Sequence, residues 1–335
     1  MRSTGSRALL GLAALLAASP ALAQTKAPAY RPPEHTTGFP AMTTGETQAQ
    51  ATASIDLGPS LERDRSARWT LAEHRRLART LATLLPQRKG VVDAYVISIG
   101  LDSDPVFGRE AREAGKVLAR RFDAVGRTLV LGGTNGTGPS NLPNGSLDNL
   151  EVALARVAEV MDPKQDVLVL YTTSHGAPVG IVYHDADAGF GILSPVRFAA
   201  LLDELGIKNR VLILSACFSG VFVPKLESET TALFTAASSD RTSFGCAADN
   251  DWTFFGDAMI NHALRKPQPL AKAGDEAHAL VSAWETGGNV TPSYPQTSIG
   301  AKVSGWLAPL EARMPKAATA PVGRPAVDIL STLGH

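Results

Sequence analysis

The sequence predicts an α/β fold: a three-layer α/β/α sandwich built on a mostly parallel sheet. Three observations carry this. Short apolar runs alternate with helix-period segments from residue 93 onward, the pattern of repeated strand–helix–strand units. The strands "QDVLVLYTTSHG" (165–176) and "NRVLILSAC" (209–217) are apolar on both faces, as strands covered on both sides must be. The segment joining them includes a well-signalled helix, which a right-handed crossover between parallel neighbours requires.

Each element follows from local chemistry. Residues 66–87 read as a helix that Pro86 stops. "DAYVISIG" (93–100) is the first sheet strand, residues 109–126 a helix, and "RTLVLGG" (127–133) the second strand. Residues 146–161 form a helix capped by Ser146, with Leu147, Leu150, Leu154, Val157 and Met161 at helical spacing. After the third strand, residues 180–195 read as a hairpin turning through 187–189. The helix 194–206 has Ser194 as cap, Pro195 in its first turn, Phe198, Leu201, Leu202 and Leu205 on one stripe, and Gly206 as stop. Strands at 209–217 and 230–239 follow, then helices near 254–265 and 270–284.

The ends read differently. Arg2 and Arg7 precede "ALLGLAALLAA" and then "SPALA", the pattern of a secretory signal peptide over residues 1–23. The apolar run is too short to span a bilayer. Export to the periplasm or medium is therefore expected, with no membrane attachment after cleavage. Residues 24–65 are rich in Thr, Pro, Ala, Gln and Gly without periodicity and read as flexible. One folded domain is assigned to 66–314, with its core at 93–298, and residues 315–335 are read as a disordered tail. Lys+Arg and Asp+Glu balance at 32 each, so no net field draws the chain to nucleic acid or anionic membranes. Oligomeric state leaves no mark in the sequence.

Ligands of parallel sheets collect at the carboxyl ends of strands. Two such ends carry chemistry: "YTTSHG" presents His175 before Gly176, and "SACFSG" presents Cys217. If the strands are neighbours, a thiol and an imidazole share one rim, the equipment of a cysteine hydrolase. The N–H groups of Gly176 and Cys217 could then hold an oxyanion. The rival reading is a Cys217–Cys246 disulfide, since these are the only two cysteines of an exported chain.

Together, "SHGAPVGIVYHD", "ILSACFSG" and "FTAASSDRTSFGCAADNDWTFFGDAM" resemble the legumain (asparaginyl endopeptidase) family, of the caspase–haemoglobinase clan of cysteine peptidases; the resemblance runs over 93–298. It implies a caspase-like sandwich and hydrolysis of peptide or protein substrates. Cys217 would be the nucleophile forming a thioester, His175 the imidazole serving the leaving amine, and Gly176 and Cys217 the oxyanion donors. Arg109 and Asp257 would shape the P1 pocket, favouring Asn, with Ser215 and Ser243 as lining; at low pH a protonated Asp257 would admit Asp. Cys246 matches a cysteine that borders the pocket in the family, which weakens the disulfide reading. The chain departs from the family pattern at Ser215 (usually Glu), Ser174 (often Asp), Glu110 (commonly His) and Phe107 (near a His-orienting Asn). A transamidase or ligase of the same fold, and a non-catalytic module that has kept the fold, remain open.

Other motifs carry less. "GGTNGTG" (132–138) has the wrong glycine spacing for a dinucleotide loop. "SACFSG" is not a G-x-S-x-G elbow. "HDADAG" (184–189) lacks the calcium-loop pattern and paired-His spacing and reads as a polar turn. No metal or organic cofactor is expected, and His35, His74, His262 and His278 receive no role.

Overall fold

The computed structural model describes residues 29–330; the expected signal peptide lies outside them. Among the described residues no helix is long and apolar enough to cross a membrane.

The chain begins with helix α1 (Gln48–Asp56), strand β1 (Ser60–Glu62) and helix α2 (Ala67–Leu81). The α/β part follows: β2 (Ala94–Gly100), α3 (Pro105–Arg121), β3 (Thr128–Leu131), α4 (Leu147–Val160) and β4 (Val167–Thr173). A meander of β5 (Gly176–Ala177), β6 (Gly180–Asp185) and β7 (Gly189–Leu193) leads to α5 (Pro195–Glu204) and β8 (Arg210–Ser215). Then come a short helix α6 (Val223–Leu226), β9 (Thr231–Thr235), the turn α7 (Phe254–Gly256) running into a π-helical turn (Asp257–His262), α8 (Leu270–Gly287), β10 (Gln296–Ile299) and α9 (Val303–Ala312).

The main sheet has the order β10-β9-β8-β4-β2-β3. All neighbours are parallel except β10, which runs antiparallel to β9 on the edge. The chain moves outward from β2 to β3 and returns to the far side of β2 at β4, so the order reverses between β2 and β4. Loops diverge at such a switch point and leave a crevice there. Successive residues face opposite sides of a strand, and the sheet accordingly separates two cores. Val96, Val169, Tyr171, Ile213 and Phe234 pack with α3 and α8 on one face. Ile97, Leu168, Leu170, Leu212 and Leu214 pack with α4 and α5 on the other. Each such side chain fully buried contributes about 1.5–3 kcal/mol, which fixes the strand register and hence the rim. The three-layer sandwich is thus the observed architecture.

The caps form as their residues dictate. The Ser146 and Ser194 side chains accept the N–H groups of Asn149 and Arg197, and Gly206 takes φ +67° after α5. Helix α3 starts earlier than its periodicity suggests, with Pro105 at its first position and Asp104 at the cap. β10 was not legible at all: only four residues long and mostly exposed, it pairs on one side only.

Two expectations about the ends are corrected. The leading segment is not structureless: α1 carries a capping box at Thr47 and Gln50, and β1 pairs with β7 in a second, antiparallel sheet of order β1-β7-β6-β5. The tail is docked through residue 330 rather than disordered. Val322 exchanges hydrogen bonds with Asn261 at 2.9 and 3.0 Å and accepts from Trp252 Nε1 at 2.8 Å. The Ala326 N–H donates to buried Asp257 at 2.8 Å. Composition misleads here because backbone groups, not side-chain periodicity, make these contacts.

Candidate active site

Strands β4 and β8 are central neighbours in register, with Thr173 opposite Ser215. The Ser174 N–H donates to Ser215 O at 3.2 Å. Two residues further along, His175 and Cys217 therefore leave the sheet side by side. Gly176 makes this closeness possible: a Cβ there would lie 2.0 Å from the Cys217 carbonyl oxygen. The turn after the cysteine is tight, since Phe218 adopts φ +57°, left-handed backbone for a bulky residue. Its N–H is held by Arg241 O at 2.8 Å.

The sulfur is held by the loop that follows β9. The Ser243 N–H donates to Cys217 Sγ at 3.2 Å. Both cysteines are free thiols, so no disulfide joins them; instead the Cys246 side chain donates toward Cys217. That donation, opposed by burial and helped by the Ser243 N–H and the charge of His175, lowers the Cys217 thiol to about 6. Cys246, as the donor, is pushed well up.

His175 is only partly buried, its side chain 42% exposed. Burial pulls its pKa down, but the nearby Asp104 and Asp102 carboxylates and Cys217 outweigh this and raise it. Asp104 Oδ2 lies 3.9 Å from His175 Nε2, a charge contact rather than a hydrogen bond. Asp104 is available because its side chain makes no capping bond to α3. The Phe107 ring meets the His175 ring edge-to-face, centroids 5.1 Å apart. The orienting Asn that the family pattern would place near Phe107 is thus replaced by an aromatic edge and a carboxylate. Sequence reading missed Asp102 and Asp104; their only signal was their place after the β2 strand end.

The expected pocket residues separate. Ser243 lies beside the sulfur. Ser215 is buried, and its hydroxyl pairs with Thr253 Oγ1 at 3.0 Å. Thr253 in turn donates to Glu110 through both its N–H, at 2.8 Å, and its hydroxyl, at 3.1 Å. Tyr171 OH donates to the same carboxylate, which burial pushes up to about 6. A buried carboxylate from α3 thus stands behind Ser215 through Thr253.

Arg109 is not free to clamp a ligand. Its guanidinium donates to the carbonyls of Asn135 (2.9 Å), Ala248 (2.5 Å) and Asn250 (3.0 Å), and sits 3.3 Å from Asp251. It pins the 246–251 loop and lines a cavity of about 560 Å³ together with Pro32, His35 and Asp104. Asp257 does not face the cleft. It is fully buried, and its oxygens are taken by Asn261 Nδ2 and the Ala326 N–H, both at 2.8 Å. Asp257, expected in the P1 pocket, anchors the C-terminal strap through the Ala326 N–H.

Residues 147–298 match the family model described as the Peptidase C13 family. No curated protein matches the chain. Among solved structures, caspase-1 from Spodoptera frugiperda is similar at 12% identity, over 64% of this chain and 92% of its own, with a TM-score of 0.41. The matched segment, just under half of the chain, spans both rim residues and the sulfur-holding loop, and over it the chain is similar to the Peptidase C13, or legumain, family of cysteine peptidases.

Proposed function

We propose that the protein is an exported endopeptidase in which Cys217 is the nucleophile and His175 the acid. The thiolate attacks the scissile carbonyl, and the oxyanion is held by the N–H groups of Gly176 and Cys217. The C–N bond breaks as His175 gives its proton to the leaving amine, which leaves a thioester on Cys217. Water then attacks the thioester, His175 takes its proton, and the carboxylic acid departs as the thiolate re-forms. One observation supports this most: a thiol driven toward thiolate and an imidazole driven toward imidazolium stand on paired strand ends. Resting proximity of the two groups is not required, because the acid serves the leaving group.

We infer that P1 is Asn. Beneath the Cys217 side of the rim lies a buried polar network, the Ser215 and Thr253 hydroxyls with Glu110 behind them. A carboxamide offers these groups both donor hydrogens and an acceptor. Protonation of Glu110 in acid removes the repulsion that an Asp side chain would meet. The test is cleavage of a denatured-proteome peptide mixture at pH 7 and pH 5. Cuts after Asn at pH 7, with Asp joining at pH 5, are expected. Cuts after basic or large apolar residues would overturn the P1 assignment. Export is checked separately by N-terminal sequencing of the secreted chain, which should begin at Gln24; retention of residues 1–23 would contradict it.

A further inference from the structure

Three side chains converge beside the thiol and imidazole. His35 comes from the leading segment, Asp102 from the turn after β2, and His184 from β6. One ligand atom from each, two imidazole nitrogens and a carboxylate oxygen, lie within 4.8 Å of one another. The His35 ring stacks on the His184 ring, centroids 3.6 Å apart and 19° from parallel.

The hydrogen bonding of this cluster is incomplete. His35 Nε2 meets Asp102 Oδ1 at 3.1 Å. The Asp102 side chain is fully buried, yet its other oxygen, Oδ2, has no partner, and neither has the buried Nε2 of His184. A buried carboxylate oxygen left without a donor keeps its full desolvation penalty. A proton shared between His35 and Asp102 satisfies Oδ1 only. It leaves Asp102 Oδ2 and His184 Nε2 without a partner.

The scaffold around them is fixed. Asp102 and His184 form a parallel bridge, with Ser103 N donating to His184 O at 2.9 Å and His184 N to Leu101 O at 3.0 Å. The third group is delivered by a tether: the N–H groups of Thr36 and Thr37 both donate to Asp187 Oδ1, at 2.9 and 2.8 Å. Two preset ligands and a tethered third are what an effective cation site needs.

We propose that His35, Asp102 and His184 form a binding site for one divalent transition cation of the Zn²⁺ class. Two imidazoles and one carboxylate suit Zn²⁺, Co²⁺ or Ni²⁺, whereas Ca²⁺ and Mg²⁺ call for more oxygen ligands. The cation forms bonds to His35 Nε2, Asp102 and His184 Nε2, and the proton held between His35 and Asp102 leaves to solvent. The ion staples the leading segment to the switch-point rim. Asp104 Oδ1 lies 3.7 Å from His35 Nε2, and its other oxygen faces His175, so the ion is separated from that imidazole by one carboxylate. Sequence spacing could not reveal the site, because its ligands come from three separate segments.

The test uses the full chain carrying Cys217→Ala and Cys246→Ala, so that thiols do not compete. Chelator-stripped protein is titrated with Zn²⁺ and Co²⁺ by calorimetry, and proteolysis of the leading segment is followed with and without Zn²⁺. One equivalent should bind, with protection of residues 31–47. His35→Ala and Asp102→Asn should each weaken binding by more than the roughly 10–100-fold typical of outer-shell changes, and His35→Ala should abolish protection. His74→Ala, an exposed histidine on α2, should match the parent. His35→Ala alters only the leading segment and so keeps the test valid if the Asp102 variant misfolds. Absence of binding, or binding that His35→Ala leaves unchanged, would overturn the proposal.

Discussion

Gly176→Ala perturbs the rim at its tightest point. The added methyl would lie 2.0 Å from the Cys217 carbonyl oxygen, 2.9 Å from its carbon and 3.0 Å from its nitrogen. Ordinary contact begins near 3.4 Å, so the β4 and β8 ends must part by about 1.4 Å (3.4 − 2.0). Overpacking of this kind costs about 1–3 kcal/mol, within the roughly 5–15 kcal/mol stability of a folded domain. The protein should therefore fold, melting a few degrees lower. The chemistry should suffer far more, because a misplacement of about 1 Å can cost roughly 100-fold in rate, and both proposed oxyanion donors move. The assay is kcat/KM on the best peptide from profiling, beside circular-dichroism melting. Gly138→Ala, where the methyl meets nothing within 4 Å, serves as the control and should be silent. A folded Gly176→Ala protein within about threefold of the parent kcat/KM would refute the close-approach reasoning.

Other outcomes follow from the same geometry. Alkylation of Cys217 by iodoacetamide should be half-maximal near pH 6, where the Cys246 donation places its thiol, and Cys246→Ala should move that midpoint upward. Glu110 has its folded pKa raised from 4.5 to about 6, so its contribution to stability is fully present below pH 4.5 and lost as pH rises through 6. At about 1.36 kcal/mol per unit this is about 2 kcal/mol, and the stability difference between parent and Glu110→Gln in urea should change by that amount from pH 4.5 to pH 7. Asp257→Ala should cost about 1.5–3 kcal/mol by releasing the Ala326 N–H and expose residues 315–330 to proteolysis. A changed P1 preference with an undisturbed tail would contradict the anchoring role of Asp257.

The core of the fold was legible because its strands are apolar on both faces and its helices carry capped, periodic stripes, as with Ser194 and Leu201. The rim was legible for the same reason: a histidine and a cysteine end two strands that a crossover makes neighbours. What could not be read depends on long-range contacts. Asp257 sits in a motif that pointed to the cleft, but the tail that claims its oxygens is a run of Pro, Ala and Gly without periodicity. Glu110 and Ser215 looked like losses until the fold joined them through Thr253. His35 stood in a segment with no pattern, and its place comes from long-range contacts with Asp102 and His184 and from the tether to Asp187.

In the proposed mechanism one thiol and one imidazole on adjoining strand ends cut peptide bonds. The most direct measurement is the kcat/KM of the purified chain beside Cys217→Ala and His175→Ala, on one peptide under mild reduction, with melting curves for all three. Cleavage should fall to background in both variants with folds intact. Cleavage that persists in folded Cys217→Ala would contradict that mechanism.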